Sequence, residues 1–145
     1  MYIGVTIGIV LYLVVLSIID IRHRKVPTIM LYLFIVAMTV EAVVLGNGIW
    51  LLAMLGGVIG ALFLVISKLT KEAIGYGDSL LILGLGISLG FWRVFSLLLI
   101  AFFLGAIYSI GLLSIRKAKR KTTFPFIPFI SISYVIMFVM EVLDK

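Results

Sequence analysis

Two aspartates stand at the edges of apolar segments, and they are the side chains of this sequence best suited to chemistry. Asp20 follows the first apolar run of the chain, and Asp78 opens the fourth. A carboxylate at the centre of a bilayer costs about 2.5–3.5 kcal/mol on insertion scales, so such a group usually has a task or lies where water reaches it. Two carboxylates at one membrane depth predict a pair that works together.

The chemistry open to such a pair is acid–base attack of water on a peptide bond. Two close carboxylates do not both ionise cheaply, so one keeps a proton while the other takes a proton from water. One group then activates the water, and the other protonates the carbonyl oxygen or the leaving nitrogen. The chain has one histidine and no cysteine, which excludes thiol nucleophiles, disulfides and thiolate or multi-histidine metal sites. We therefore expect no metal and no cofactor.

Gly75 and Gly77 come directly before Asp78 and suggest a shaped binding site. Glycine permits positive φ and removes side-chain bulk, so an extended substrate backbone could lie against this turn. A simpler interpretation makes the segment a glycine loop with Asp78 as the N-cap of the next helix. In that interpretation Asp20 merely ends its own helix beside the arginines that follow it.

The composition predicts an integral membrane protein. Of the 145 residues, 64% are hydrophobic, and the mean hydropathy is +1.37, whereas a soluble domain has about 45–50% apolar residues. About 20 apolar residues cross the hydrocarbon layer as a helix. The sequence therefore predicts an all-α bundle of about six transmembrane helices, forming one membrane-embedded domain over residues 1–145. Its apolar runs are 2–19, 28–45, 49–66, 78–92, 94–115 and 124–141.

The basic residues predict the orientation of this bundle. Ten of the twelve lie in three alternate loops, 20–27, 67–77 and 116–123. The positive-inside rule puts these loops in the cytoplasm, with both termini outside and both aspartates at the cytoplasmic face. The net charge is +6, and the basic residues cluster between the apolar runs. This pattern indicates contact with anionic lipid and argues against nucleic-acid binding. No basic residue or cleavage site marks the first run as a signal peptide, so we expect it to remain as a transmembrane helix.

Three motifs resemble those of the type IV prepilin peptidases. The segment Asp20-Ile-Arg-His-Arg-Lys-Val-Pro27 resembles the first aspartate motif of that family, and Gly75-Tyr-Gly-Asp78 matches its GxGD motif. Gly86 and Gly90 are placed as the family has them. Phe124–Phe129 resembles the Pro-Phe-Gly-Pro segment before the last helix of the family. The similarity covers nearly the whole chain, with both aspartate motifs in order and on the predicted side.

The resemblance implies an aspartic protease in the cell membrane. Members of this family cut a basic leader from prepilins, pseudopilins or archaeal preflagellins, at the cytoplasmic edge of the substrate's own helix and typically after glycine. By resemblance, Asp20 and Asp78 are the catalytic pair, and Gly75 and Gly77 shape the site. The implied partners are pilin-like precursors and membrane lipids.

The sequence departs from the family pattern at three positions near these motifs. Leu80 stands where lysine is frequent, Ile127 replaces the usual glycine between two prolines, and Thr28 replaces a common asparagine. None of these changes removes a catalytic carboxylate. Larger bacterial members carry an N-terminal extension with paired cysteines that is linked to N-methylation. Because this sequence contains no cysteine, we expect the chain to be of the short, peptidase-only type.

Two non-enzymatic functions remain open at this point. A small transporter or channel could relay protons through Asp20 and Asp78, although no acidic residue lies in the middle of a span to continue the relay. Alternatively, the chain could be a structural subunit of a pilus or secretion assembly whose aspartates only cap helices.

Overall fold

The described part of the chain is entirely helical. The computed structural model describes residues 3–23, 26–45, 50–70, 75–115 and 125–143, and no strand occurs within these ranges. Each predicted apolar run overlaps mainly one helix, so the all-α class and the helix order are confirmed. The helices are α1 (Ile3–His23), α2 (Thr28–Leu45), α3 (Trp50–Leu69), α4 (Tyr76–Leu89), α5 (Phe91–Ile115) and α6 (Ile127–Leu143).

Two of the helices are long and apolar enough to cross a membrane. They contain the segments Gly4–His23 and Phe91–Gly111, with mean hydropathies of 2.4 and 2.3. The apolar parts of the four other helices are shorter, at 10–17 residues within the described ranges. The described part of the chain therefore holds two candidate spans by length and composition, and the six transmembrane helices stay a prediction.

Helix boundaries differ from the apolar runs at two places that matter for the site. Helix α1 continues to His23, so Asp20 lies inside its last turn and does not end it. Helix α4 ends at Leu89, because Gly90 has a φ of 76° and its N–H donates to the carbonyl of Gly86 at 2.9 Å. This left-handed conformation favours glycine, and α5 begins immediately after it. The boundary predicted near residue 93 was wrong, since hydropathy does not report a backbone turn.

The chain divides into two compact units, which we call the terminal unit and the central unit. The terminal unit comprises residues 1–24 and 97–145, and the central unit comprises residues 25–96. In the terminal unit α1 packs against α6. In the central unit α4 packs against both α3 and α2.

Small residues let α3 and α4 approach to backbone contact. A Cβ atom added at Gly56 would meet the backbone oxygen of Gly86, and one added at Gly60 would meet the backbone of Leu83. On its other side α4 lies against α2, where a Cβ at Gly84 would be 2.8 Å from Cδ1 of Phe34. Glycine at such positions allows close helix packing. Helix α4 therefore packs closely against both α3 and α2.

Several expectations fall on parts of the chain outside the described residues. They concern most of the cations in the three basic loops, namely Arg24, Lys25, Lys71, Arg116, Lys117, Lys119, Arg120 and Lys121.

Candidate functional site

Asp20 lies on the buried stripe of α1. Ile9, Leu13, Leu16 and Asp20 recur at spacings of three or four and are all buried, which is the periodicity of one helix face. Asp20 is 8% exposed, whereas Arg22 and His23 in the same turn are exposed. The side chain of Asp20 is therefore directed into the packed interior of the terminal unit, and it is not at a solvated helix end.

The Asp20 carboxylate has one identified partner. It accepts a hydrogen bond from the backbone N–H of Ile127, the first residue of α6. Its Oδ2 atom is buried and makes no hydrogen bond within the described part of the chain. Buried polar atoms are nearly always hydrogen-bonded, so an exception calls for an explanation. A catalytic carboxylate that must exchange protons with a substrate or water is one such explanation.

Asp78 is the third residue of α4 and does not act as its N-cap. The N-cap is Gly75, and no side chain makes a cap hydrogen bond there. Asp78 is half-buried, and its carboxylate folds back over Gly75, because a Cβ added at Gly75 would be 2.8 Å from Asp78 Oδ2 and 3.3 Å from Cγ. The interpretation of Asp78 as a helix cap was therefore wrong.

The glycines before Asp78 contribute space and not an unusual backbone. Gly75 has φ −54° and ψ 129°, which any residue adopts at an N-cap. Among the described residues, Gly90 is the one glycine with positive φ, so neither Gly75 nor Gly77 uses the positive φ that glycine permits. A Cβ at Gly77 would be 3.4 Å from Leu31 Cδ1, an ordinary contact. Gly75 thus makes room for the Asp78 carboxylate itself.

Two polar side chains tie the first turn of α4 to its neighbours. Ser79 is fully buried, and its Oγ lies 3.2 Å from the carbonyl oxygen of Phe63 on α3 and 3.3 Å from that of Gly75. The Tyr76 hydroxyl lies 3.4 Å from the Tyr32 hydroxyl on α2. These contacts hold the segment from Gly75 to Ser79 against both helices. Asp78 therefore projects from an anchored turn.

Neither of these two anchors was predicted from the sequence. A serine directly after Asp78 in an apolar run is a weak signal for Ser79. No local signal exists for Tyr32, because its contact depends on how α2 packs against α4. Glu41 on α2 is half-buried and accepts a 2.8 Å hydrogen bond from Ser88 on α4.

The two aspartates are therefore built separately, one in each unit. Asp20 depends on α1 and α6, and Asp78 depends on α2, α3 and α4. The joint action of the two carboxylates stays a prediction. Within the described ranges, no three potential metal-ligating side chains lie together.

Comparison with known proteins finds one family whose model matches most of the chain. The model of the type IV leader peptidase family matches residues 7–110, a range that includes Asp20 and the segment Gly75–Asp78. The match ends before Pro125. No solved structure matches the chain.

Two curated proteins show a shorter similarity. Both are described as prepilin leader peptidase/N-methyltransferase, one from Aeromonas salmonicida strain A449 and one from Aeromonas salmonicida. Each is 38% identical to this chain over 63 residues. This stretch is 43% of the chain and 22% of the relative, so the match spans less than a quarter of the length of these proteins.

Proposed function

Because the chain belongs to the type IV leader peptidase family, we propose that it is a membrane aspartic endopeptidase that removes the basic leader from pilin-like precursors. The precursors would be pilins, pseudopilins or archaeal preflagellins. The observation that carries this proposal is the family match over a range containing both aspartate motifs. Two helices long and apolar enough to span a bilayer support a location in the membrane.

Asp20 and Asp78 are the catalytic pair in this proposal. Support comes from the setting of each side chain. Asp20 is buried and has an oxygen without a hydrogen-bond partner among the described residues. Asp78 is half-buried and projects from an anchored turn, and it does not cap its helix. Neither carboxylate has the fully solvated setting expected of a residue that only ends a helix.

The reaction follows from one proton shared between two carboxylates. The ionised carboxylate takes a proton from a water molecule as the water oxygen bonds to the scissile carbonyl carbon. The protonated carboxyl group donates to the carbonyl oxygen and so stabilises the tetrahedral intermediate. Proton transfer to the amide nitrogen then lets the carbon–nitrogen bond break, which gives a new carboxylate and a new amino terminus. No metal or cofactor is needed for these steps.

Gly75 and Gly77 shape the site in two different ways in this proposal. Gly75 leaves the space that the Asp78 carboxylate occupies. Gly77 presents backbone without a side chain one residue before the catalytic aspartate. An extended, locally unwound substrate segment can therefore approach the Asp78 carboxylate closely.

We further propose that the whole chain forms one domain of six transmembrane helices, with both termini outside. Both aspartates then lie at the cytoplasmic face, where the substrate's leader meets its apolar helix. The concentration of basic residues in alternate loops supports this orientation. In the proposal these basic loops determine the topology and contact anionic lipid. They do not attract the basic leader, because like charges repel each other. The precursor enters laterally from the lipid.

Replacement of each aspartate by asparagine tests the proposal. The purified chain is incubated with a synthetic precursor that has a basic leader, a glycine at the cut and an apolar helix, and the products are identified by N-terminal sequencing. We expect cleavage by the wild type and a loss on the order of 1,000-fold or more in Asp20→Asn and Asp78→Asn. The matched control is Glu141→Gln, which removes a carboxylate on α6 and should retain cleavage.

Thermal unfolding in detergent must show that the asparagine variants remain folded. Full processing by both variants would contradict the catalytic pair. Aspartate-dependent proton flux in liposomes, without cleavage, would favour a transporter instead.

A further inference from the structure

The first turn of α6 leaves one backbone donor for another helix. The first N–H groups of a helix have no partner within it and must find one elsewhere. The carbonyl of Phe126 accepts from Phe129 at 3.0 Å and from Ile130 at 3.3 Å, and the second helical position is a proline, which has no N–H. The remaining donor is the N–H of Ile127, and its acceptor is the Asp20 carboxylate on α1.

This contact is buried. Asp20 is 8% exposed and Ile127 is 1% exposed. A hydrogen bond from a backbone N–H to an ionised carboxylate is shorter and stronger than a neutral one, and the positive end of a helix dipole adds to it. Because the donor belongs to the start of a helix, it cannot follow a side-chain rotation. It therefore restrains the carboxylate at a fixed point of α6.

We propose that the backbone N–H of Ile127 is a positioning group for Asp20, holding the carboxylate so that Oδ2 is the oxygen that exchanges protons in the reaction. This inference rests on the proposed function. Oδ2 suits that task because it is buried and makes no hydrogen bond within the described ranges. The group that acts at position 127 is then the backbone N–H and not the side chain. This explains how isoleucine can stand where the family usually has glycine.

A purely structural role for the contact makes different predictions. If Asp20 only caps α6, an asparagine at position 20 would keep the cap, since its amide oxygen also accepts from backbone N–H groups. Loss of the Ile127 N–H would then lower stability and leave the turnover of folded protein unchanged. A positioning role requires that turnover falls in protein that is still folded.

The test deletes the N–H and keeps the helix. Proline is well tolerated at the first position of a helix, so Ile127→Pro removes the donor at the place where the backbone accepts proline best. The matched variant is Ile127→Ala, which shortens the side chain and retains the N–H. Both are compared with the wild type as full-length purified chains in detergent, with the synthetic precursor, by steady-state kinetics.

We expect kcat of Ile127→Pro to fall on the order of 10- to 100-fold, the effect of one lost hydrogen bond to a charged group, with KM changed much less. Ile127→Ala should lose no more than about threefold in kcat, because its donor remains. Equal kcat values for the two variants, or an effect confined to KM, would overturn the inference.

A second variant covers the case in which Ile127→Pro does not fold. The α-hydroxy acid analogue of isoleucine, introduced at position 127 by stop-codon suppression, replaces the N–H by an ester oxygen and keeps the side chain. Its kcat should fall as in the proline variant, and wild-type kcat would overturn the inference. If the wild type cleaves the precursor and Asp20→Asn does not, the proposed function is supported. The kcat of the ester variant then tests the role of the Ile127 N–H separately. Absence of cleavage by the wild type would overturn the proposed function and the inference with it.

Discussion

Asp20 and Asp78 have the same chemistry but different local settings. Asp20 is buried on a helix face and is held by a backbone donor of α6. Asp78 is half-buried, and the space it occupies exists because residue 75 has no side chain. Unequal settings suit a pair in which the two carboxyl groups take opposite proton states. At the scale of single residues, the proposed activity therefore depends on proton sharing and on the space above Gly75.

The shared proton predicts a bell-shaped dependence of cleavage rate on pH. At low pH both carboxyl groups are protonated and no base is left to activate water. At high pH both are ionised and no acid is left to protonate the leaving nitrogen. The rising and falling limbs of this curve reflect the titration of the pair and not that of either aspartate alone. Cleavage of the synthetic precursor is measured across pH, with circular dichroism at each pH to show folded protein. A flat profile under conditions where chemistry limits the rate would count against the pair.

Gly75→Ala should reduce turnover and leave the fold in place. The new Cβ would be 2.8 Å from Asp78 Oδ2, and the carboxylate, as the flexible end of a side chain, must rotate away. The backbone at φ −54° accepts alanine. We expect kcat to fall at least about tenfold, as for a displaced catalytic group, with the unfolding temperature nearly unchanged.

Gly77→Ala is the matched comparison for this prediction. Its Cβ would make an ordinary 3.4 Å contact with Leu31, so the position of the Asp78 carboxylate should not change. Any effect of this variant should appear in KM, through the approach of substrate to the backbone. Equal losses of kcat in the two variants would show that the space above Gly75 has no special role.

At the scale of helices, the position of Asp78 depends on how α4 packs against α3. Backbone contact between these helices requires glycine at facing positions, Gly56 on α3 and Gly86 on α4. Ser79 then reaches the carbonyl of Phe63 from the first turn of α4. A change deep in this interface should therefore affect the segment that carries Asp78.

Gly56→Ala should destabilise the protein strongly. The added methyl group would overlap the backbone of Gly86, which cannot move aside as a side chain can, so we expect a loss of about 3 kcal/mol or more in unfolding free energy. The control is Gly8→Ala in α1, where no atom lies within 4 Å of the new Cβ and helix propensity favours alanine. Unfolding in detergent measures both variants. Equal stabilities would refute the close packing of α3 and α4.

The sequence predicted the helices well because each coincides with an apolar run. It did not predict where α4 ends, since the turn depends on the φ of Gly90. Both aspartates were predicted as site residues from their rarity among apolar runs. The contact of Asp20 with Ile127 was not predicted, nor was the contact of Tyr76 with Tyr32, because both join residues far apart in sequence through tertiary packing.

At the scale of the whole molecule, the proposed activity requires both carboxylates at one membrane face. The positive-inside rule predicts this from the loop charges. The same topology puts Glu41, near the end of α2, at the opposite face. The chain contains no cysteine, so pairs of cysteines introduced at these positions can be crosslinked without background.

Crosslinking of Asp20→Cys with Asp78→Cys in native membranes tests the central claim most directly. Carboxylates that share a proton must lie within about 4–6 Å, so a bifunctional thiol reagent of that reach should join positions 20 and 78, as detected by mass spectrometry of the linked peptides. The control pair, Asp20→Cys with Glu41→Cys, should not crosslink. Joined positions 20 and 78 would support the catalytic pair. Failure of that pair to crosslink, with both thiols shown to be reactive, or crosslinking of the control pair instead, would contradict it.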